Sequence, residues 1–380
     1  MGPLAGIRIV ELAGIGPGPM CAMLLADLGA EVILVERTGD SGLGVPLDRK
    51  FAVTSRGRKS IALDLKKPES IEAVLRLIEK SDGLIEGFRP GVMERLGLSP
   101  EVCLKRNPKL VYGRMTGFGQ EGPLAHAAGH DINYISLTGA LYAMGRKGDR
   151  PVPPLNLVGD FGGGALYLAF GMMAAMLRAQ KTGQGDVVDA AMVDGAASLM
   201  TMFFGLSAAG RWNGRRGENI LDTGAPWYEV YETKDGGYFA IGAIETKFFA
   251  VLAEKIGLSE EDRKRQYDVA HWPALREKFT TIFKSKTRDE WSAILEGTDA
   301  CATPVLSLEE APNHPHMAAR KTFDAIAGVV QPQSAPRFAK AGAPQLSPPP
   351  ETGAQTREIL TLAGYSAAEI DALQASGVAI

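Results

Sequence analysis

Histidine and cysteine are scarce in this chain, with five and three among 380 residues. The three cysteines, Cys21, Cys103 and Cys301, are far apart, odd in number and in no C-x-x-C spacing. That pattern excludes a disulfide framework or a zinc ribbon and fits a reducing compartment. Net charge is nearly absent: 41 Lys+Arg against 44 Asp+Glu leave −3. A nucleic-acid binder shows a basic face as its footprint, so no nucleic-acid partner is expected. The first residues, "MGPLAGIRIVEL", lack a charged leader and an apolar core of the kind a signal peptide carries. Gly6 stands where a myristoylation signal needs Ser or Thr. The longest apolar run, "FGGGALYLAFGMMAAML" at 161–177, is shorter than the ~20 residues that span a bilayer. We read it as a buried helix, and expect no membrane partner and a cytoplasmic location.

What the chain has in quantity is apolar residues, 45%, enough for a core in one large domain or two. "IRIVEL" (7–12), a glycine-rich turn, the helical "MCAMLLADLGA" and the apolar "EVILVER" form a βαβ unit that opens a doubly wound sheet. The alternation continues with strands at 60–65, 83–88 and 110–119 and an amphipathic helix at 68–81. Gly, Arg and turn residues break the pattern at 210–233, and from 238 a second strand–helix unit begins. "APQLSPPPETG" (343–353) is too rich in proline for regular structure and reads as a linker to a final amphipathic segment. This reading gives a large Rossmann-like domain at 1–205 completed by 330–380, a linker at 206–225 and a small α/β domain at 226–329.

Several motifs invite chemistry, each beside a plainer reading. "GIGPGP" with Glu36 further on resembles a dinucleotide fingerprint, but Pro19 replaces the third glycine that lets helix and strand pack closely. A tight turn explains the stretch equally well. Arg37, Arg89 and Arg95, together with Arg56, Arg58 and Lys59 of "TSRGRKS", lie near strand ends, where guanidiniums suit bidentate contacts to a phosphate-bearing ligand. A solvated surface is the alternative for any one of them. Asp160 precedes a long apolar helix and reads alone as an N-cap. His130 stands directly before Asp131 in "GHDINYISLTG". His126 stands four residues before His130, but no H-E-x-x-H constellation occurs, no cysteine has a nearby histidine and no G-x-S-x-G occurs. Metal binding and triad hydrolysis are therefore poorly supported, and no metal is assigned.

Taken together, "GPLAGIRIVELAGIGPGP", "DLKKPES", "LIEGFRPGVMERLGL", "YGRMTGFGQEGP", "GHDINYISLTG", "PVPPLNLVGDFGGG", "GQGDVVDAAMVDG", "GAPWYEVYETKDGGYFAIGAIE" and "CATPVLSLEEA" resemble the α-methylacyl-CoA racemase branch of the family III CoA-transferases. The resemblance runs over nearly the whole chain. It implies a Rossmann-like large domain, a smaller α/β domain and two chains threaded as an interlocked homodimer. His130 and Asp160 fall on the two catalytic positions, and Glu245 on a glutamate that hydrogen-bonds the histidine, supplied by the partner chain. Arg37, Leu63, Asp64, Leu65, Lys66, Gly87, Phe88, Arg89, Arg95, Gly129, Asp131, Ile132, Asn133 and Tyr134 fall on positions that contact coenzyme A and the thioester, and Asn156 is grouped with them. The transferase branch shares the aspartate, where it carries the acyl group as an anhydride, but often has Tyr or Phe in place of the histidine.

The implied reaction interconverts (2R)- and (2S)-2-methylacyl-CoA by removing the α-proton from one face and returning one to the other. A histidine and a carboxyl on opposite faces serve if one is in base form while the other is in acid form. The enolate oxygen needs a donor such as the Asp131 N–H, while the Asp131 carboxylate is read as a cap. Coenzyme A is part of the substrate, and no further cofactor is implied. Met172, Met173, Met176, Met192, Met200 and Met202 are candidates for an acyl surface, with core packing as the plainer reading. A CoA-transferase using Asp160 as nucleophile and a nicotinamide dehydrogenase remain the alternatives.

Overall fold

The computed structural model describes residues 1–39, 42, 44–342 and 345–380, so Ala343 and Pro344 of the proline-rich linker lie outside the described residues. The chain separates into two compact units: residues 1–138, 155–200 and 321–380, and residues 139–154 and 201–320.

Six parallel strands form the centre of the first unit: β1 (Arg8–Leu12), β2 (Glu31–Glu36), β3 (Arg58–Ala62), β4 (Gly83–Glu86), β5 (Val111–Thr116) and β6 (Asp186–Ala191). Their order is β3-β2-β1-β4-β5-β6, the doubly wound arrangement. The central strands β1, β2 and β4 are buried nearly throughout because helices cover both faces. One covering helix, Pro68–Ile78, has proline in its first turn and buries Ala73, Val74, Leu77 and Ile78 along one face. The other face receives the helix Leu166–Thr182, whose Met172 and Leu168 press on Gly113, and whose Met176 presses on Gly83. A β-carbon at Gly113 would sit 2.9 Å from both Leu168 and Met172, so glycine there sets how closely helix and sheet approach.

The apolar run is thus only partly buried. Leu168, Met172, Ala175, Met176 and Ala179 face the sheet, while Leu166, Phe170 and Leu177 are exposed. With the preceding π-type turns the helical stretch extends over 157–182, long and apolar enough by length and composition to cross a membrane. Sequence counting gave a shorter run because the charged Asp160 and Arg178 bound it. Met172, Met176 and Met192 belong to the core, and Met202 is exposed.

The C-terminal segment closes the β3 edge. Asp64 N–H donates to the Val378 carbonyl (2.9 Å) and Ile380 N–H to the Ala62 carbonyl (3.2 Å). Ile359, Leu360, Ile370 and Leu373 join the core of the same unit. The linker before it is tied down, its Pro350 carbonyl accepting from Arg49 Nε at 2.7 Å.

The second unit is built on an antiparallel sheet, β7 (Tyr228–Glu232), β8 (Tyr238–Gly242) and β9 (Ala302–Val305), over a core of Trp227, Phe239, Phe249, Phe279, Phe283 and Trp291. Four segments change sides relative to the expected boundaries, residues 201–205 passing to this unit among them. Residues 139–154 belong to this unit, where Arg146 makes a two-armed ion pair with buried Glu229 at 2.8 and 2.9 Å. Residues 206–225 are ordered into it by Asp222, which accepts from the N–H groups of Gly217 and Asn219. Residues 321–329 belong to the first unit, with the hairpin β10 (Phe323–Ile326) and β11 (Val329–Pro332).

Arg58 and Glu11 form a fully buried ion pair at 2.9 Å in the first unit. Burial alone would raise the Glu11 carboxyl, and Arg58 opposes that. Arg58→Ala strands a buried carboxylate and should cost about 3–5 kcal/mol in urea unfolding. A loss below ~1 kcal/mol, the range of surface pairs, would show that Glu11 needs no partner.

Candidate functional site

In a doubly wound sheet the strand order reverses beside the first strand, here between β1 and β4, and a crevice opens beyond their carboxyl ends. The loops leaving that edge are Ala13–Gly16 after β1, Arg37 after β2, Leu63–Lys66 after β3, Gly87–Arg89 after β4 and Gly117–Phe118 after β5, and those after β2, β3 and β4 carry candidate residues.

His130 is exposed and stands as N-cap of the helix Asp131–Ser136. The cap is made by its neighbour: the Asn133 side chain accepts from the His130 N–H at 3.0 Å. Tyr134 fixes the approach to this turn by donating its hydroxyl to the Gly129 carbonyl and packing edge-to-face on Phe118 at 4.9 Å. A β-carbon at Gly117 would lie 2.1 Å from the Tyr134 ring, so that position must stay bare.

Asp160 is half-buried and lies within the π-type turns Leu157–Ala165, where the Phe161 N–H reaches back to the Asn156 carbonyl. It is therefore no N-cap. Asn156 Nδ2 donates to Asp160 Oδ2 at 3.1 Å. Asp131 does not cap its own helix either; its Oδ1 accepts from the Asp160 N–H at 2.7 Å. The glycine loop supplies the last wall. Gly16, at φ +68°, would place a β-carbon 3.1 Å from Asp160 Oδ2. A side chain there would be strained by the backbone and crowd the carboxylate.

Burial holds the Asp160 carboxyl above the usual range; the Asn156 hydrogen bond lowers it, the Asp131 charge raises it and His130 lowers it. The Tyr134 hydroxyl is pushed up by burial and by Asp160, and drawn down by Arg89. His130, Asp131, Tyr134, Asn156, Asp160 and Arg89 thus act on one another in a single constellation. An imidazole and a carboxyl at one site can serve as base and acid and exchange those roles.

Other candidates stand elsewhere. Leu63 is fully buried in the core and its N–H donates to the Glu36 carbonyl, so its side chain cannot meet a ligand. Lys66 is exposed, Asp64 and Leu65 are half-buried, and Ile132 is exposed. Arg37 and Arg95 are exposed; Arg95 curls over Gly91. Glu245, in the second unit, is exposed where the helix Thr246–Lys255 begins, and its main-chain carbonyl accepts from Phe248 and Phe249.

The basic stretch "TSRGRKS" is no ligand cluster. Arg56 is buried against Asp27 at 2.5 Å, Arg58 against Glu11, and Lys59 bridges Glu31 and Glu358 at 2.8 and 2.7 Å. These residues precede or open β3, at the edge opposite the crevice. Glu36 likewise is held by Arg49 at 2.6 and 2.7 Å and by the Ser60 hydroxyl, which leaves no carboxylate for a ribose.

Sequence reasoning missed Glu86. It ends β4 fully buried, accepts from the Phe88 N–H at 2.7 Å and from Arg114 Nε at 3.0 Å, and so shapes the turn that presents Arg89. Only the neighbouring strand reveals its partner; nothing local in "LIEGF" does. Burial pushes Glu86 up to about 7, against the Phe88 N–H and Arg114. Between its ordinary value of 4.5 and about 7 the folded protein holds the extra proton, so rising pH withdraws stability through this window, at most ~1.4 kcal/mol per unit. Glu86→Gln should flatten the slope of unfolding free energy between pH 5 and 7 relative to the native chain. Parallel slopes would place the Glu86 charge elsewhere.

Comparison with known proteins bears on this constellation. The chain matches the family described as CoA-transferase family III over residues 4–356. The α-methylacyl-CoA racemase of Mus musculus is 44% identical over 369 residues, covering 97% of this chain and 95% of that protein. Its Homo sapiens counterpart is 43% identical over 371 residues, at 97% and 95% coverage. The succinyl-CoA:glutarate CoA-transferase of Mus musculus is 29% identical over 402 residues, at 100% and 90%. A CAIB/BAIF family protein from Brucella suis, known from its crystal structure, superposes with a TM-score of 0.82 at 28% identity, over 95% of this chain and 99% of that one.

Proposed function

Since the chain belongs to the family III CoA-transferases, we propose that it is a 2-methylacyl-CoA racemase, interconverting (2R)- and (2S)-thioesters through an enolate. The observation that carries this reading is the pairing at the crevice of an imidazole, His130, with a half-buried carboxyl, Asp160, each held by its own turn. One takes the α-proton from C2 while the other delivers a proton to the opposite face, and the next turnover starts with the roles exchanged. The near-full-length likeness to the racemases, well above that to the glutarate transferase, favours this chemistry over acyl transfer through Asp160.

The Asp131 N–H, in the first turn after His130, is the donor we assign to the enolate oxygen, a contact of a kind worth ~3 kcal/mol of transition-state stabilisation. Arg37, Arg89 and Arg95 are assigned to the phosphates of coenzyme A, with Asp64–Lys66 and Gly87–Phe88 along its path. Gly129, Ile132, Asn133, Tyr134 and Asn156 are assigned to the walls around the thioester. Leu63 contributes main chain only. Energy from the nucleotide end positions the reacting carbon without changing along the reaction.

A homodimer belongs to the same proposal. The outer face of Leu166–Thr182 leaves Leu166, Phe170 and Leu177 54%, 75% and 55% exposed. An apolar stripe of this kind marks an interaction surface, and a second copy is the occupant the family likeness suggests. Glu245 of that copy is assigned to orient the His130 imidazole.

The test is proton NMR of a 2-methylacyl-CoA in D2O. The native protein should wash deuterium into C2 of either epimer while interconverting them. His130→Ala and Asp160→Ala should each nearly abolish interconversion yet retain exchange on opposite epimers, each through the surviving base. Near-native racemisation by His130→Ala would refute the two-base mechanism, and acyl exchange with a free acid that survives it would install the transferase reading. Arg37→Ala and Arg95→Ala should raise KM with kcat little changed, the signature of lost uniform binding. A large fall in kcat at constant KM would remove both from the nucleotide site.

A further inference from the structure

Asp131 is 5% exposed, yet its carboxylate plays no part in the chemistry assigned above and does not cap its own helix. Its Oδ1 accepts the Asp160 N–H at 2.7 Å, across a sequence separation of 29 residues. Its Oδ2 is buried and accepts no hydrogen bond from the described residues. Gly159 is moulded to it: a β-carbon there would lie 2.6 Å from Asp131 Oδ1. An ordinary structural aspartate would be satisfied on both oxygens, because a buried carboxylate without donors is costly. This one is satisfied only on the side that faces the Asp160 main chain.

We propose that the Asp131 carboxylate is a positioning residue for the reaction assigned above: it pins the Asp160 main chain to the turn that carries His130, and its uncompensated charge governs when Asp160 holds its proton. The inference rests on the two-base reading. The geometry supports it in two ways. His130 and Asp131 are consecutive, so the single hydrogen bond that the Asp160 N–H donates to the Asp131 carboxylate links the backbones of both bases and sets the distance between them. Asp160 also lies in π-type turns, whose wider ladder is less well held by its own hydrogen bonds and gains from an outside anchor. The groups that act on the Asp160 carboxyl are Asn156, Asp131 and His130, with Tyr134 and, through it, Arg89 beyond them. Of these, Asp131 is the one that disfavours the Asp160 anion by like charge.

Asp131→Asn keeps an oxygen for the Asp160 N–H and removes the charge. The Asp160 carboxyl then falls toward its ordinary value and gives up its proton at lower pH. In the direction where Asp160 donates, the falling limb of kcat/KM should move to lower pH. Where Asp160 accepts, the rising limb should move the same way, in each case by about half a unit to one unit. The limbs belonging to His130 should stay. Asp131→Ala removes the anchor as well. Interconversion of epimers should then fall about 100-fold, because both bases must be in register, while deuterium exchange at a single face falls about tenfold or less. Circular dichroism separates a misfolded Asp131→Ala from a mispositioned one; if it does not fold, the Asp131→Asn profile decides alone.

The inference is overturned if the Asp131→Asn profile superimposes on the native one. It is equally overturned if folded Asp131→Ala loses exchange and interconversion in equal proportion, the behaviour of a merely structural residue. Either result would leave a racemising native protein and the two-base reading intact. A native protein that incorporates no deuterium would instead bring down that reading, and this inference with it.

Discussion

The reversal of strand order at β1 is the constraint on which the rest depends. With β2 on one side and β4 on the other, chains leaving the carboxyl ends of β1 and β4 turn away from each other and cannot fill the space between them. The glycine loop after β1 and the Gly87–Arg89 turn after β4 are therefore walls of one crevice. Everything else in the constellation is attached to those walls. Asp160 rests on Gly16, and Arg89 is presented by a turn tied to the buried Glu86 carboxylate. A ligand with a nucleotide end and a reacting end suits such a crevice, because the several loops of the carboxyl edge offer contacts along its length.

Charge is divided in this unit between ion pairs that hold the fold and groups left open at the edge. Arg56, Arg58 and Arg114 are buried and paired, and each partner carboxylate lies on an element distant in sequence. Such pairs specify which elements meet more than they stabilise, since desolvation offsets most of their attraction. Arg37 and Arg95, by contrast, are exposed. The division cannot be made from residue type or from clustering. "TSRGRKS" has the densest positive charge of the early chain, and its charges are taken up by Asp27, Glu11, Glu31 and Glu358. Position relative to the strand decides: residues entering β3 meet carboxylates, and residues leaving a strand meet the crevice.

The same logic explains what was legible in the sequence. The parallel sheet was, because "IRIVEL", "EVILVER" and their successors are apolar runs separated by helices with one apolar face. The local setting of Asp160 was not: an aspartate before an apolar run reads alone as a cap, and only the π-type turns place it inside the helical stretch. Glu86 and the Asp131 carboxylate were also hidden, since their partners, Arg114 and the Asp160 N–H, are 28 and 29 residues away. The boundary near 139–154 was misplaced for the same reason, as Arg146 finds Glu229 at a separation of 83 residues. Local pattern reports which face of an element is apolar; it says nothing of which distant group a polar side chain will reach.

A half-buried carboxylate at a crevice built for acyl thioesters can serve two chemistries, and the surroundings choose between them. As a nucleophile it must be ionised and must meet the carbonyl carbon. As one of two bases it must spend half of each cycle protonated and must meet the α-carbon. The environment of Asp160 leans toward the second role. Burial and the Asp131 charge both favour its protonated form, and the tie from Asp131 fixes its backbone relative to the turn bearing an imidazole. A nucleophile gains nothing from a favoured protonated form, which makes the anion scarcer. In the proposed two-base mechanism His130 makes the protonated state useful: a proton held on Asp160 is of value only when another base has just removed one from the opposite face.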